Sequence, residues 1–335
     1  MTMTSLGDLS THFLLRRSNV ALRTEATRLG QELSTGLTSA PLDHLRGDVS
    51  MLADIERRMS VAVAYRQATQ EATVRAETMQ TALGQVQELA DDLLRPLLAA
   101  SASGFAQAGN AASVQAMDTL DRMVAALNTQ SAGRSLFAGN ATDQPALTSA
   151  SAIMGALQTV TAGLTDPADI VAAVDGWFDD PIGGFAATAY LGGADPLAPI
   201  RVAEGEAITL DIRANRQEIR DMLRPVALAA LASDATLGLS PQGRSDLLTQ
   251  AGQSMLAGQD GLSAIRGDLG LAQARLDQTT VRHASEQTGL QQARLSLLGV
   301  DPYETASRLE QVRFNLESLY TVTVRLSRLN LTEYM

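Results

Sequence analysis

The chain has 335 residues, a net charge of −11, no cysteine, and only 4% aromatic residues with a single Trp. That length accommodates two or three domains, and the missing cysteines exclude disulfides, thiolate metal sites and cysteine nucleophiles. The low aromatic share favours long helices packed through Leu, Ala and Val over a bulky globular core.

The charge is uneven along the chain. Arg16, Arg17, Arg23 and Arg28 face Asp8, Glu25 and Glu32 over residues 1–35, and Arg308, Arg313, Arg325 and Arg328 face Glu304, Glu310, Glu317 and Glu333 over 302–335. The ends are therefore close to neutral and the acidic excess lies between them. Near-neutral ends can meet copies of themselves, while an acidic middle stays solvated and repels non-specific partners. All 26 basic residues are Arg, and none of them forms a basic stripe, which argues against a nucleic-acid partner. No stretch reaches the ~18 apolar residues of a membrane span. Residues 1–18 lack the apolar run and cleavage site of a secretory signal peptide.

Residues 6–35 read as one helix that stops at Gly36, with a heptad stripe at Leu15, Asn19, Leu22, Ala26, Leu29 and Leu33. A loop follows from Leu37 to Gly47. A long helix is expected from about Asp48 to Leu94, ended or kinked by Pro96. Gly104, Gly109 and Asn110 mark a break, and Met117, Leu120, Val124 and Leu127 define a third helix. Gly139 to Gly205 is rich in Gly, Pro, Ala and Asp. It contains a helix starting Asp166-Pro167 and much of the chain's aromatic content, so it is expected to have a small core of its own. Ile200 to Ile212 is the best strand candidate, with a hairpin at Glu204-Gly205. A helix over Glu218–Ala232 follows, with Pro225 as a kink.

From Pro241 to Leu298 the pattern predicts a helix about 85 Å long at ~1.5 Å per residue. Gly252, Gly258, Gly261, Gly267, Gly270 and Gly289 lie inside it, each costing ~1 kcal/mol relative to Ala, so this helix needs neighbours. The glycines are read as marks of close helix approach. The last helix opens Asp301-Pro302-Tyr303-Glu304, a cap, a first-turn Pro and a reciprocal Glu. It carries a second heptad stripe, Leu309, Val312, Leu316, Leu319, Thr323 and Leu326. Two apolar stripes at opposite ends of one chain predict an elongated, mainly α protein whose termini lie together. Burial of each Leu contributes ~1.5–3 kcal/mol. Asn19, polar at a core position, is a candidate for fixing register.

Residues that could carry catalysis or bind cofactors are sparse. His12, His44 and His283 sit on separate segments, with no i, i+4 pair for zinc. The acidic pairs Asp91-Asp92 and Asp179-Asp180 are adjacent residues that point apart rather than converge. Gly183-Gly184 and Gly192-Gly193 lack the Lys-Ser/Thr of a phosphate loop. No catalytic, cofactor-binding or metal residue is assigned, and no enzyme activity is expected.

The run Gly133-Arg134-Ser135-Leu136-Phe137-Ala138-Gly139 resembles the "GRYLFAG" signature of the flagellar hook–filament junction proteins (hook-associated protein 3), a family within the flagellin superfamily. Leu15 to Gly36, "LRRSNVALRTEATRLGQELSTG", resembles that family's first helix, and Tyr320 to Met335, "YTVTVRLSRLNLTEYM", is similar to its C-terminal tail. The family's Asp-Asp-Pro segment is missing, with only Asp43 in "SAPLDHLRGD". The tail also lacks flagellin's Pro-Gln and terminal Leu-Leu-Arg.

The resemblance implies a coiled-coil-like bundle in which 1–42 and 300–335 form a terminal polymerisation core. Residues 43–140 with 199–299 would form a helical rod carrying the hairpin, and 141–198 an acidic surface insert. It also implies export without a cleaved signal through the flagellar export apparatus, assisted by a chaperone. Assembly would follow in the extracellular flagellum, with copies of itself, an adjoining hook-associated protein and flagellin. A filament subunit and a cytoplasmic coiled-coil scaffold are the alternatives.

Overall fold

Apolar residues spaced for helix faces produce four helices of thirty residues or more: α1 (Leu6–Thr35), α3 (Ser50–Ser103), α8 (Pro241–Leu298) and α9 (Pro302–Thr332). The structure, a computed structural model, describes residues 6–103 and 105–332, with side chains described at 10, 13–102, 105 and 107–325. Shorter helices are α2 (Pro41–His44), α4 (Ala106–Leu127), α5 (Ala150–Val160), α6 (Pro167–Asp179) and α7 (Gln217–Leu231). Two small antiparallel hairpins, β1–β2 (Gln130–Ser131, Arg134–Ser135) and β3–β4 (Ile200–Ala203, Glu206–Ile208), complete the fold. The chain is mainly α, as expected.

Several boundaries follow the sequence closely. α1 ends before Gly36. Asp166 caps α6 by accepting from the Ala168 N–H, and Asp301 caps α9 by accepting from Tyr303 and Glu304 N–H at 2.8 and 3.1 Å. Glu304 does not reach back to the cap but takes Arg308 at 2.6 Å.

Other expectations are corrected. Pro96 does not end α3. A proline removes one N–H, and buried Leu93, Leu97 and Ala100 hold α3 across that gap. The loop after α1 contains the short α2. Gly109 and Asn110 belong to α4 and do not break it; Gly109 lies against Arg244 of α8, where an added Cβ would meet the arginine Cδ at 3.3 Å. The strand after Gly205 stops at Ile208. Leu210 and Ile212 are buried without strand pairing, and Ala214 instead donates to the Phe137 carbonyl.

The chain divides into two units, Met1–Val63 with Ala284–Met335, and Ala64–His283. The larger unit has one contiguous core running from Ala72 and Leu83 on α3 through Leu120 on α4 and Leu223 on α7 to Leu262 on α8. Residues 141–198 share that core through Ile153, Leu157, Ile170, Val174, Phe178 and Phe185, so the insert has no separate core. Its aromatic residues do cluster: Trp177 meets Phe178 and Phe185 edge-on at 5.0 and 5.9 Å. Electrostatics also tie it down. Arg224 of α7 pairs with Asp175 and Asp179 at 3.3 and 2.8 Å, and Arg220 donates to the Phe178 carbonyl. Arg224 thereby pairs with two of the seven Asp residues of 141–198.

Four of the seven glycines of α8 sit against neighbours, Gly243 among them with a Cβ that would meet Pro167 at 3.2 Å. A Cβ at Gly252, Gly258 or Gly261 would meet Leu98, the Asp221 carbonyl or Glu218 at 3.3, 2.9 and 3.3 Å, which marks close helix approach. At Gly267, Gly270 and Gly289 there is open space.

The smaller unit has a thin core in which Ile55 and Ala62 of α3 meet Leu290 of α8. α1 and α9 pair along their length beside it.

Candidate assembly interface

The two predicted stripes face each other. On α1, Leu15, Asn19, Leu22 and Ala26 are half-buried and Leu29 is buried; on α9, Leu309 is buried and Val312, Leu316, Leu319 and Thr323 are half-buried. Leu326 lies outside the described side chains. Heptad spacing accounts for this, since a and d positions keep one face turned to the partner helix. Leu33 departs from the stripe and is 39% exposed. The buried side chain in that turn is Glu32, because its carboxylate accepts the Ser39 N–H and hydroxyl, each at 2.8 Å, and Arg28 at 2.9 Å.

These bonds form a clamp at the closed end of the pair. Burial opposes the charge on Glu32, yet the two Ser39 bonds and Arg28 outweigh it and hold the carboxyl below its ordinary value. Glu25 is also held low, first by its hydrogen bond from Arg28. The chain leaving α1 then pairs with the chain entering α9. Leu37 bridges Gly299, Thr38 donates to the Leu298 carbonyl at 2.9 Å, and Val300 donates to the Gly36 carbonyl at 3.1 Å.

Asn19 has a partner across the seam. It lies beside the Tyr320 phenol, to which Arg23 donates from Nε and Nη2 at 3.0 and 2.6 Å. Arg23, and then Asn19, draw the Tyr320 hydroxyl below its ordinary value. One α9 residue thus meets two α1 residues a turn apart, which fixes the register of the pair. Reading the heptad alone misses Tyr320, because it flanks the seam; its position next to Leu319 is the signal that could have found it.

Pairing leaves a second apolar set uncovered. Phe13, Leu14 and Val20 on α1 and Phe314, Val322 and Val324 on α9 are 47–66% exposed. Phe13 and Val20, seven residues apart, share one face of α1. Single exposed apolar residues need no explanation, but Phe13 and Val20 on one face of α1 leave a strip of that helix apolar and uncovered.

The Gly133–Gly139 motif serves the fold of the larger unit. Ala132 and Gly133 occupy the two turn positions of β1–β2 with φ of 50° and 74°, the conformation a two-residue hairpin turn requires. Leu136 and Phe137 are buried in the core, while Arg134 is exposed. Gly139 has φ of 61°, and a Cβ there would stand 2.6 Å from the Asp195 carbonyl oxygen.

His283 is 3% exposed, hydrogen-bonded through Nε2 to the Val202 carbonyl at 2.7 Å and stacked on Tyr65 at 6.2 Å between ring centroids. His44 is exposed at the end of α2, and His12 lies outside the described side chains. Among the described residues no group of three or more His, Cys, Asp or Glu is arranged to hold a metal ion, and no helix is long and apolar enough to cross a membrane.

Residues 257–335 match the family described as the bacterial flagellin C-terminal helical region, which covers the end of α8 and all of α9. Among curated proteins none matches the chain. Among solved structures, a protein described as a flagellar hook-associated protein from Vibrio parahaemolyticus is similar at 15% identity and a TM-score of 0.49, over 73% of this chain and 94% of that one.

Proposed function

We propose that this chain, whose residues 257–335 match a bacterial flagellin C-terminal helical region, is a member of the flagellin superfamily and a structural subunit of the bacterial flagellum that assembles through its paired terminal helices. Within that class we assign it to the hook–filament junction, as the adaptor between an adjoining hook-associated protein and flagellin. The observation that carries the reading is the α1–α9 pair, satisfied along one seam and exposing Phe13, Val20, Phe314 and Val324 on the outside. In this reading the seam residues, Leu15, Asn19, Leu22, Ala26, Leu29, Leu309, Val312, Leu316, Leu319 and Thr323, hold the two helices as one ridge. Neighbouring copies then bury that ridge, together with Leu33 and Leu326. The "SLFAG" form of the motif at Ser135–Gly139 supports the junction over the filament. Export would proceed through the flagellar apparatus with a dedicated chaperone, delivering the subunit outside the cell.

Deleting Asp301–Met335 tests the assembly claim. The expected product is a soluble monomer that no longer enters the flagellum; a truncated chain that still assembled would contradict the reading. Immunolabelling of intact flagella tests the location, with signal expected as one band next to the hook. The flagellin match itself favours a second reading, a filament subunit. Copy number separates the two, since filament subunits dominate a sheared-flagella preparation and junction subunits are scarce.

A further inference from the structure

A cleft of about 620 Å³ opens in the larger unit between α3, the β1–β2 hairpin and the chain entering β3. Two guanidinium groups line it, Arg75 from α3 and Arg134 from the hairpin. Arg75 donates to the carbonyl of Ser135, the residue after Arg134, at 3.4 Å, and its Nε is buried with no hydrogen-bond partner. Arg134 donates only a 3.3 Å bond from Nε to Thr142. Among the described residues neither arginine is in an ion pair.

The absence of pairing is informative because a partner is near at hand. Glu71 lies four residues before Arg75 on α3, the spacing at which a helix readily forms an ion pair, and it lines the same cleft; yet it is exposed and does not pair with Arg75. Burial, and then the charge of Arg134, push the Arg75 guanidinium below its ordinary value. Two like charges are held at one site, one of them with a desolvated nitrogen, an arrangement that costs stability unless an anion completes it. Val74 and Leu197 supply an apolar wall beside the charges.

We propose that this cleft is a carboxylate-binding site in which Arg75 and Arg134 jointly hold the two oxygens of a carboxyl group carried on a short apolar stem. Guanidinium groups suit this task because their planar N–H forks match a carboxylate. The carboxylate comes either from a free small acid or from an Asp or Glu of a second copy, and the two sources share the same contact.

The test uses the full chain with sodium butyrate as probe and sodium chloride at equal ionic strength as control. Butyrate should raise the melting temperature by about 2 °C or more over chloride, in a saturable manner. Arg134→Gln, at an exposed position, should abolish that increment while leaving the melting temperature in chloride unchanged or slightly higher, because a repulsion has been relieved. Equal melting in butyrate and chloride, an equal increment in wild type and Arg134→Gln, or a large loss of stability in chloride would each overturn the proposal. Arg75→Met serves as the second variant and should behave alike. Sedimentation then separates the sources. Weaker self-association of Arg134→Gln identifies a second copy's carboxylate, and unchanged self-association identifies a free acid.

Discussion

The two units of this chain spend their apolar residues differently. Residues 64–283 enclose one continuous core in which Phe137, Phe178, Leu83, Leu120 and Met123 are fully buried. In the unit built from the two chain ends, the α1–α9 seam is half-buried along most of its length, and Phe13, Leu14 and Phe314 are at least 60% exposed. The first arrangement is complete in a single copy. The second has satisfied one face of each helix and left another uncovered, which is what a helix pair retains when further helices are to be added to it.

The largest expected contrast comes from truncating a side chain in each unit. Phe137→Ala should cost about 3–5 kcal/mol in urea denaturation of the monomer. Leu22→Ala and Leu316→Ala, at half-buried positions, should cost about 1–2 kcal/mol and yet prevent incorporation into flagella. A seam variant that unfolded the monomer as thoroughly as Phe137→Ala would erase the distinction.

Glycine substitutions on α8 sharpen it next. Gly258→Ala forces a Cβ to 2.9 Å from the Asp221 carbonyl oxygen, so a net destabilisation of about 1 kcal/mol or more is expected. Gly270→Ala meets nothing and should stabilise by about 0.5–1 kcal/mol through helix propensity. Thermal melts of the two variants should therefore move in opposite directions.

The clamp at the closed end of the α1–α9 pair predicts acid sensitivity in that unit. Glu25 and Glu32 are both held below their ordinary value of 4.5 in the folded chain, so their contribution is fully present above it and is lost as pH falls through the lowered values. Hydrogen exchange at the Ser39 N–H should quicken below that pH while the larger core stays protected. In Glu32→Gln the exchange should already be fast at neutral pH. The smallest effect is expected at the register contact: Tyr320→Phe and Asn19→Ala should each weaken the pair slightly. A double-mutant cycle should return a non-zero coupling, since the two groups are neighbours across the pair.

Long periodic elements were legible from sequence because a heptad stripe states both its helix and the face that helix buries. That is why the helices α1, α8 and α9 could be read in advance from their stripes. What was not legible depended on distant partners. Pro96 read as an end or kink of α3, but packing around it outweighs one missing N–H. The insert read as self-contained because its aromatics are adjacent in sequence, whereas its core is completed by α4 and α7. The β1–β2 hairpin has two-residue strands and an Ala-Gly turn, too little for any periodicity to register. Tyr320, Arg75 and Arg134 matter through residues hundreds or tens of positions away, which no local pattern reports.

The stack of Tyr65 on His283 has a kinetic consequence. Leu37 and Gly299 are separated by most of the chain, and closing a loop of that length from an open coil costs about 5 kcal/mol in entropy. Tyr65 and His283 belong to the larger unit and meet ring to ring, so once that unit has folded the two tails depart from neighbouring points. Only short arms then remain to be brought together, and most of the entropic barrier has already been crossed. The terminal helices are thus expected to be fastened last and unfastened first, like the tongue of a buckle, so that a factor gripping one tail would keep the fastener open without disturbing the strap.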